Sequence, residues 1–290
     1  MTQSAIQVSE QPPLPGLQLV QQLNAALMTT ATDFAGGADP AALAGPYMTW
    51  ADIGTGLLKR RNPANTAWIV IGSIFNNQDS GRLLNVRVFV SGGVYTPTSG
   101  TNTVVVELLG GGGAGAGSSA TNASQLAVGS GGGAGHRAIG RFTSGFSGVT
   151  VAIGAGGAPN LGGAGGTGGT TSFGGLMTVN GGAGGTQYGP TGSRIIGGAS
   201  NSNVSAPGSL LAIQGESGGP AFMTDLNFGL SGAGGSGQYG DGGSSAGGSG
   251  DGTLARGYGS GGGGAMSYAS SPVRNGGNGR QGLAIIWEYA

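Results

Sequence analysis

Several residue types that build common functional sites are scarce in this sequence or missing from it. Among 290 residues there is no cysteine, one lysine (Lys59) and one histidine (His136). The absence of cysteine excludes disulfides, thiolate metal sites and cysteine nucleophiles. A single histidine cannot supply the histidine ligands of a catalytic zinc site. The sequence therefore argues against the commonest metal and thiol chemistries.

Charge is also scarce, at 8% of residues, and the 11 basic side chains balance the 11 acidic ones. Without a basic surplus the chain lacks the counterion-release term that drives nucleic-acid binding. No apolar run approaches the length that spans a bilayer. The first 16 residues lack the basic and apolar regions of a signal peptide. We therefore expect no nucleic-acid partner, no membrane insertion, and release from the cytoplasm without a secretion signal.

What the sequence has in abundance is glycine, with 70 residues, of which only eleven precede residue 110. Roughly a third of the remaining chain is therefore glycine, against about 7% in an average protein. The two parts of the chain must be built on different principles.

The first part begins with a polar segment, residues 1–16, whose prolines predict an extended arm. Residues 17–34 follow, in which Leu19, Val20, Leu23 and Leu27 share one face of a short amphipathic helix. Such a helix is marginal alone in water. It needs another protein, copies of itself or its own domain to cover that face.

Residues 47–51, 56–61 and 66–75 read as three strands separated by turns. Within them Lys59, Arg60 and Arg61 are expected to form a solvated strand edge. The stretch Leu57–Gly72 (LLKRRNPANTAWIVIG) resembles a β-meander module of bacteriophage tail-fibre proteins. In that family the module lies between the attachment end and the receptor-binding end.

Further strands are indicated by segments rich in β-branched or aromatic residues. They are Leu84–Val90, Thr103–Leu109, Arg137–Phe142, Val149–Gly154, Thr170–Phe173, Met177–Asn180 and Leu283–Tyr289. Pairing of the first with the last of these would close a domain of nearly two hundred residues.

The glycine tracts between these strands have two interpretations. They are either flexible linkers or left-handed helices with three residues per turn, the polyglycine II form, bonded to one another through their backbones. The second is favoured because alanine and serine, not charged residues, accompany the glycines, and because the sequence closes on the apolar segment LAIIWEY.

The order of strands and glycine runs, with VTVAIGAGG at residues 149–157 and TTSFG at residues 170–174, resembles the glycine-rich domain of phage tail-fibre proteins and the polyglycine-sandwich adhesins of fibre tips. The resemblance covers residues 83–290. It implies a β-sandwich carrying polyglycine II helices, with loops that contact a receptor. Residues 186–230 depart from it, since they are more apolar than a glycine bundle needs, and predict extra packed structure or a binding surface.

The sequence contains motifs that suggest catalysis but lacks the residues that the corresponding mechanisms need. Residues 215–220 (GESGGP) and 194–198 (RIIGG) resemble two boxes of trypsin-like proteases, but no aspartate between His136 and Ser217 could orient an imidazole. His136 is expected to face solvent before a strand. Asp241 and Asp251 lie in stretches faintly like calcium-binding repeats, in the wrong register. We expect no enzyme activity, no cofactor and no metal.

The sequence thus predicts a mainly β protein with three parts. Residues 1–45 form an arm and helix for tail attachment, residues 46–82 a β-meander neck, and residues 83–290 a glycine-rich receptor-binding domain. The predicted function is attachment of a phage virion to the host through its tail fibre or tip. The predicted partners are other tail or baseplate proteins, a second and third copy of the chain, and a host polysaccharide, pilus or outer-membrane protein. The alternative is a purely structural tail or baseplate spike.

Receptor contacts are expected from large side chains that interrupt the glycine tracts, because aromatic residues and arginine dominate binding hot spots. The alternative for each is packing against its own bundle. The candidates are Tyr188, Arg194, Phe222, Tyr239, Tyr258, Tyr268 and Arg274.

Overall fold

A computed structural model describes residues 15–74, 81–200, 202–226 and 228–290. The predicted arm lies almost wholly outside these residues, as does Phe75 of the third predicted strand. The described residues form two compact units, one within residues 1–82 together with Ala290 and one within residues 83–289. The fold is mainly β with one N-terminal α-helix, as the sequence predicts. No described helix is long and apolar enough to cross a membrane.

The first unit contains helix α1, Gly16–Ala31, and a 3-10 turn at Ala41–Leu43. Pro15 stands at the N-cap, where a residue without an N–H loses nothing. The predicted apolar face forms but is not covered by its own domain: its four side chains are all 44% or more exposed. Only Ala26 and Thr29 of the helix are buried.

The same unit contains an antiparallel meander of β1 (Thr49–Asp52), β2 (Leu57–Arg61) and β3 (Trp68–Ser73). The expectation of a solvated edge at the three adjacent basic residues is wrong, because β2 is the central strand. Each cation lies over an aromatic ring instead, and a cation over a ring face is attracted by its quadrupole. The pairs are Lys59 with Trp50 at 4.5 Å, Arg60 with Tyr47 at 5.7 Å and Arg61 with Trp68 at 5.0 Å.

Lys59 also forms an ion pair with the buried Asp52, at 2.7 Å between Nζ and Oδ2. This ammonium group, followed by the Thr55 hydroxyl, holds the pKa of Asp52 well below its usual range. The buried carboxylate is thus stabilised in its charged form by a donor from the neighbouring strand.

The second unit contains fifteen strands among its described residues. They are β4 (Leu83–Phe89), β5 (Gly93–Val94), β6 (Thr103–Leu109), β7 (Leu126–Gly129), β8 (Arg137–Phe142), β9 (Thr150–Ala152), β10 (Thr171–Phe173), β11 (Met177–Val179), β12 (Gln187–Thr191), β13 (Ile195–Ile196), β14 (Leu211–Ile213), β15 (Phe222–Asp225), β16 (Phe228–Leu230), β17 (Met266–Tyr268) and β18 (Leu283–Tyr289).

Closure of this unit depends on β18, which lies between β6 and β4 in a five-stranded sheet of order β14-β8-β6-β18-β4. Ile286 pairs with Val106 on one side and with Arg87 on the other. The predicted pairing of the first and last strands is therefore confirmed.

This sheet packs on a four-stranded sheet of order β11-β10-β9-β5. The core between them is made of apolar side chains from both sheets, including the fully buried Val106, Phe173 and Met177. Burying each such side chain stabilises the fold by about 1.5–3 kcal/mol. This is the sandwich that the sequence predicts.

A second, smaller core lies between the sheets β12-β7-β17 and β13-β15-β16. It contains Leu126, Val128, Ile195, Met223 and Met266. Most of its strands come from residues 186–230, so Ile195 and Met223 of that segment build packed structure. Much of the apolar excess stays on the surface, at Ile196, Leu210, Leu211, Ile213 and Phe228.

Glycine tracts join the two cores. The tract 130–136 runs from β7 in the second core to β8 in the first, and residues 180–186 run back from β11 to β12. Successive N–H groups of residues 110–118 donate in rotation to three tracts, residues 130–136, 163–169 and 274–280. Each of the three partner tracts therefore accepts a hydrogen bond from every third N–H of residues 110–118.

We call residues 110–118 the central tract. Its carbonyls accept hydrogen bonds from three further segments, at Gly157, residues 182–185 and residues 262–265. The central tract is thus bonded to six other segments. Residues 130–136 repeat the rotation, donating to residues 180–186, 216–219 and 259–262. A backbone whose partners recur every third residue has three residues per turn.

Such close approach requires glycine. A methyl group added at Gly112 would overlap the carbonyl of Ser260, and one at Gly111 would overlap that of Ala155. The tracts are therefore packed backbone against backbone.

His136, at the end of one tract, is 1% exposed, so the expectation that it faces solvent is wrong. Its Nδ1 accepts the N–H of Gly215 at 2.9 Å, and its Nε2 lies 2.9 Å from the Ser202 hydroxyl. His136 is the last residue of the glycine tract, and β8 begins at the next residue, Arg137. At this position the imidazole lies inside the fold and not in solvent. Burial lowers the pKa of His136.

This geometry predicts a pH-dependent loss of stability. The folded-state pKa lies below the unfolded value of about 6.5, so the unfolded chain binds the proton more readily. The stabilisation is complete above pH 6.5 and is lost as the pH falls through the folded-state pKa. We expect the melting temperature to fall between pH 7 and pH 5. In His136→Asn, whose amide oxygen can replace Nδ1 as acceptor, the melting temperature should change less; equal slopes would contradict the assignment.

Candidate functional site

The seven candidate residues lie at several places in the second unit. Tyr188 and Tyr268 are half-buried and pack against the second core. The Tyr188 hydroxyl accepts the N–H of Gly198 at 2.9 Å. These two rings therefore pack within their own unit, which is the alternative to receptor contact.

Arg194 and Phe222 are brought together by the pairing of β13 with β15, in which Ile196 lies opposite Phe222. They line a groove of about 290 Å³ with Ile195, Ile196, Gly197, Pro220, Ala221 and Thr224. Ile196 is 70% exposed at this groove. The ring of Phe228 lies 6.0 Å from that of Phe222. We call this surface the apolar groove.

Tyr239 and Tyr258 are linked by an isolated antiparallel bridge between their backbones. The guanidinium of Arg280 lies 6.0 Å from the Tyr258 ring. The Tyr239 hydroxyl donates to Oε1 of Glu107 at 2.8 Å. The Tyr239 hydroxyl therefore ties its loop to β6, whereas the Tyr258 ring packs under Arg280.

Glu107 is buried and receives two hydrogen bonds from Arg137, from Nε at 2.6 Å and from Nη2 at 2.9 Å. This bidentate geometry is the strongest form of an arginine–carboxylate pair. Burial, followed by the bond to Glu107, raises the pKa of Tyr239 to about 12. Tyr239 therefore remains a hydrogen-bond donor at neutral pH.

Arg274 is half-buried, and its backbone exchanges two hydrogen bonds with Ser118. Its Nε is buried and has no hydrogen-bond partner among the described residues. Arg274 lies apart from the apolar groove, so the seven candidates do not form one site.

Sequence reasoning missed a second cavity of about 290 Å³, which we call the polar cavity. It is lined by Arg137, Gln214, Glu216, Ser236 and Gln238, with Leu109 and Ile213 as apolar walls. Three of the polar side chains are amides or a hydroxyl, which are not among the aromatic and arginine residues that dominate binding hot spots. The signal was present as large polar residues inside glycine-rich stretches.

Hydrogen bonds to the backbone fix the position of Glu216 in this cavity. The carbonyl of Glu216 accepts the N–H of Ala134 at 2.8 Å, and Oε2 of Glu216 accepts the N–H of Ser236 at 2.7 Å. Across residues 15–74, 81–200, 202–226 and 228–290, no three histidine, aspartate or glutamate side chains group as metal ligands would.

Fold and surfaces together define a mainly β protein in which two small hydrophobic cores are joined by cross-bonded glycine tracts. The family model of the glycine-rich domain matches residues 89–288, more than half of the chain. This chain therefore belongs to the glycine-rich domain family. The comparison with curated proteins found no match.

Proposed function

We propose that this chain is a bacteriophage tail-fibre or tail-tip protein whose glycine-rich domain attaches the virion to the host cell surface. The observation that carries the proposal is the rotation of hydrogen-bond partners along residues 110–118. It supports assignment of the tracts to the polyglycine II form, which is the architecture implied by the resemblance to polyglycine-sandwich adhesins.

A bundle of this kind suits an exposed virion tip. Its backbone groups are bonded across segments far apart in sequence, which leaves few local units that can open independently. Large side chains are then displayed on a rigid support, so little conformational freedom is lost on binding. Both properties favour adhesion over catalysis.

The apolar groove is the proposed contact surface. Arg194 is exposed, Phe222 is half-buried, and Ile196 and Phe228 add exposed apolar area. Aromatic anchors beside an arginine are the usual composition of a binding hot spot. The host molecule is a polysaccharide, a pilus or an outer-membrane protein.

The exposed apolar face of α1 is the proposed assembly surface. Leu19, Val20, Leu23 and Leu27 require a cover that their own unit does not provide. We assign that cover to two further copies of the chain, in a homotrimer, or to a tail or baseplate protein. Several copies would convert weak single contacts into tight attachment.

Attachment is tested with particles carrying Arg194→Glu or Phe222→Ala. We expect each to slow adsorption to host cells by tenfold or more, because losing a hot-spot residue costs about 2 kcal/mol or more. Particle yield and the melting temperature of the purified chain should be unchanged.

Matched controls are Arg256→Glu and Leu254→Ala, both exposed and outside the apolar groove. These should adsorb like the parent. Normal adsorption by both groove variants would remove the groove as the contact surface. Loss of particle assembly, with adsorption by the remaining particles intact, would favour the alternative of a structural spike.

A further inference from the structure

The polar cavity contains exposed side chains whose hydrogen-bonding groups the fold uses only in part. Among the residues that the structure describes, no hydrogen bond engages the side-chain amide of Gln238. Oε1 of Glu216 has no partner in the same residues. The Ser236 hydroxyl accepts only one long contact, from the N–H of Gly242 at 3.5 Å. These donors and acceptors are available to a ligand.

The chemistry of these groups is that of polyol recognition. A side-chain amide both donates and accepts, a hydroxyl does the same, and an ionised carboxylate only accepts. A saccharide presents adjacent hydroxyls that donate and accept, together with an apolar C–H face. Leu109 and Ile213 supply apolar walls beside the polar groups.

The charges of the cavity select against acidic ligands. Arg137 is matched by the bidentate Glu107, which leaves Glu216 as the one uncompensated charge among these three residues. An anionic sugar or a phosphate would meet an unbalanced carboxylate, and a like-charge contact is repulsive. A neutral saccharide meets no such penalty.

Size and rigidity also fit. A volume of about 290 Å³ is at the lower limit of small-molecule pockets, which run from about 300 to 1,000 Å³. It suits one or two sugar rings rather than a folded segment of protein. The shape of the cavity is maintained by hydrogen bonds, including that from the Gly215 N–H to Nδ1 of the buried His136 and the reciprocal backbone pair of Gly237 with Gly240.

We propose that the polar cavity is a binding site for a neutral saccharide, with Gln238, Glu216 and Ser236 as the groups that engage its hydroxyls. The biological meaning of this site rests on the proposed attachment function, to which it adds a contact with a surface polysaccharide at a place separate from the apolar groove. Binding of sugar to the cavity can be measured without that function.

The experiment uses the purified full chain and saturation-transfer NMR with glucose, galactose, mannose, N-acetylglucosamine and the anionic N-acetylneuraminic acid. We expect at least one neutral sugar to bind and the anionic sugar not to. Gln238→Ala should weaken binding about fivefold and Glu216→Gln by at least as much, in proportion to the hydrogen bonds removed. Gln21→Ala, an exposed glutamine of α1, is the matched control and should bind like the parent.

Three results would overturn the proposal: no neutral sugar binds, the anionic sugar binds more tightly, or Gln238→Ala and Gln21→Ala bind equally. Equal melting temperatures of the variants guard against a folding defect. Adsorption of particles separates the two proposals. If the chain binds sugar but particles do not adsorb to cells, the attachment proposal fails and the saccharide-site proposal stands. If particles adsorb but the chain binds no sugar, the saccharide-site proposal fails and the attachment proposal stands.

Discussion

Gly112→Ala should abolish the cooperative folding of the second unit. The added methyl would overlap the carbonyl of Ser260, which belongs to another tract and cannot rotate away. Gly112 also donates to Arg280 and accepts from Gly157, so moving its backbone breaks bonds on two sides. We expect a loss of more than about 4 kcal/mol, which approaches the whole stability of many domains. Denaturant unfolding followed by circular dichroism measures it.

The matched control is Gly248→Ala. Nothing lies within 4 Å of the position that its methyl would take, and its backbone is not in the left-handed region. The substitution should change the unfolding free energy by no more than about 1 kcal/mol, with stabilisation the expected sign because alanine restricts the unfolded chain. If the two variants unfold at the same denaturant concentration, the tracts are not packed as described.

Glu288→Gln should destabilise the second unit by about 3 kcal/mol. Glu288 lies on β18 and is fully buried. Its carboxylate accepts from the Tyr95 hydroxyl at 2.8 Å, from Arg87 Nε at 3.0 Å and from the Thr98 N–H at 3.2 Å. An amide replaces one acceptor oxygen by a donor and removes the charge. Arg87 is 41% exposed and keeps its contact with solvent, so the cost comes from the hydrogen bonds of Tyr95 and Thr98 to a buried charged group, which contribute about 1.5–3 kcal/mol each.

The pH dependence of this variant gives an independent check. Burial raises the pKa of Glu288, but the bonds from Thr98, Tyr95 and Arg87 outweigh it and lower the pKa below 4.5. The carboxylate therefore contributes stability above pH 4.5 that is lost as the pH falls through the folded-state pKa. The difference in unfolding free energy between parent and variant should shrink in acid. Glu216→Gln, at an exposed glutamate, should stay within about 0.5 kcal/mol of the parent.

The strands that were predictable are those with enough apolar residues to show a pattern. β6 and β18 are seven residues long and rich in valine, leucine and isoleucine, so their position and their pairing could be inferred. β7 reads LAVG and β12 reads QYGPT, which are too short or too polar to separate from loops. Their strand conformation comes from partners far away in the chain.

The sites were harder to predict than the strands. The polar cavity joins Arg137 to Gln214 and to Gln238, and the meeting of these residues depends on the register of glycine tracts. A glycine tract has almost no side chains, so its register leaves no pattern in the sequence. The same reason explains His136: the imidazole is buried by tracts whose positions could not be read from composition.

The position of β18 between β4 and β6 has a consequence for synthesis on the ribosome. β4 and β6, which lie within residues 83–109, leave the ribosome long before β18, the strand that lies between them and pairs with both. The central tract likewise cannot complete its backbone hydrogen bonds until residues 262–280 have been synthesised. A nascent chain that has not reached residue 289 lacks the strand that joins its sheet. Folding of the five-stranded sheet must therefore wait until β18 has left the ribosome, and a topology dominated by such distant pairings should make folding slow.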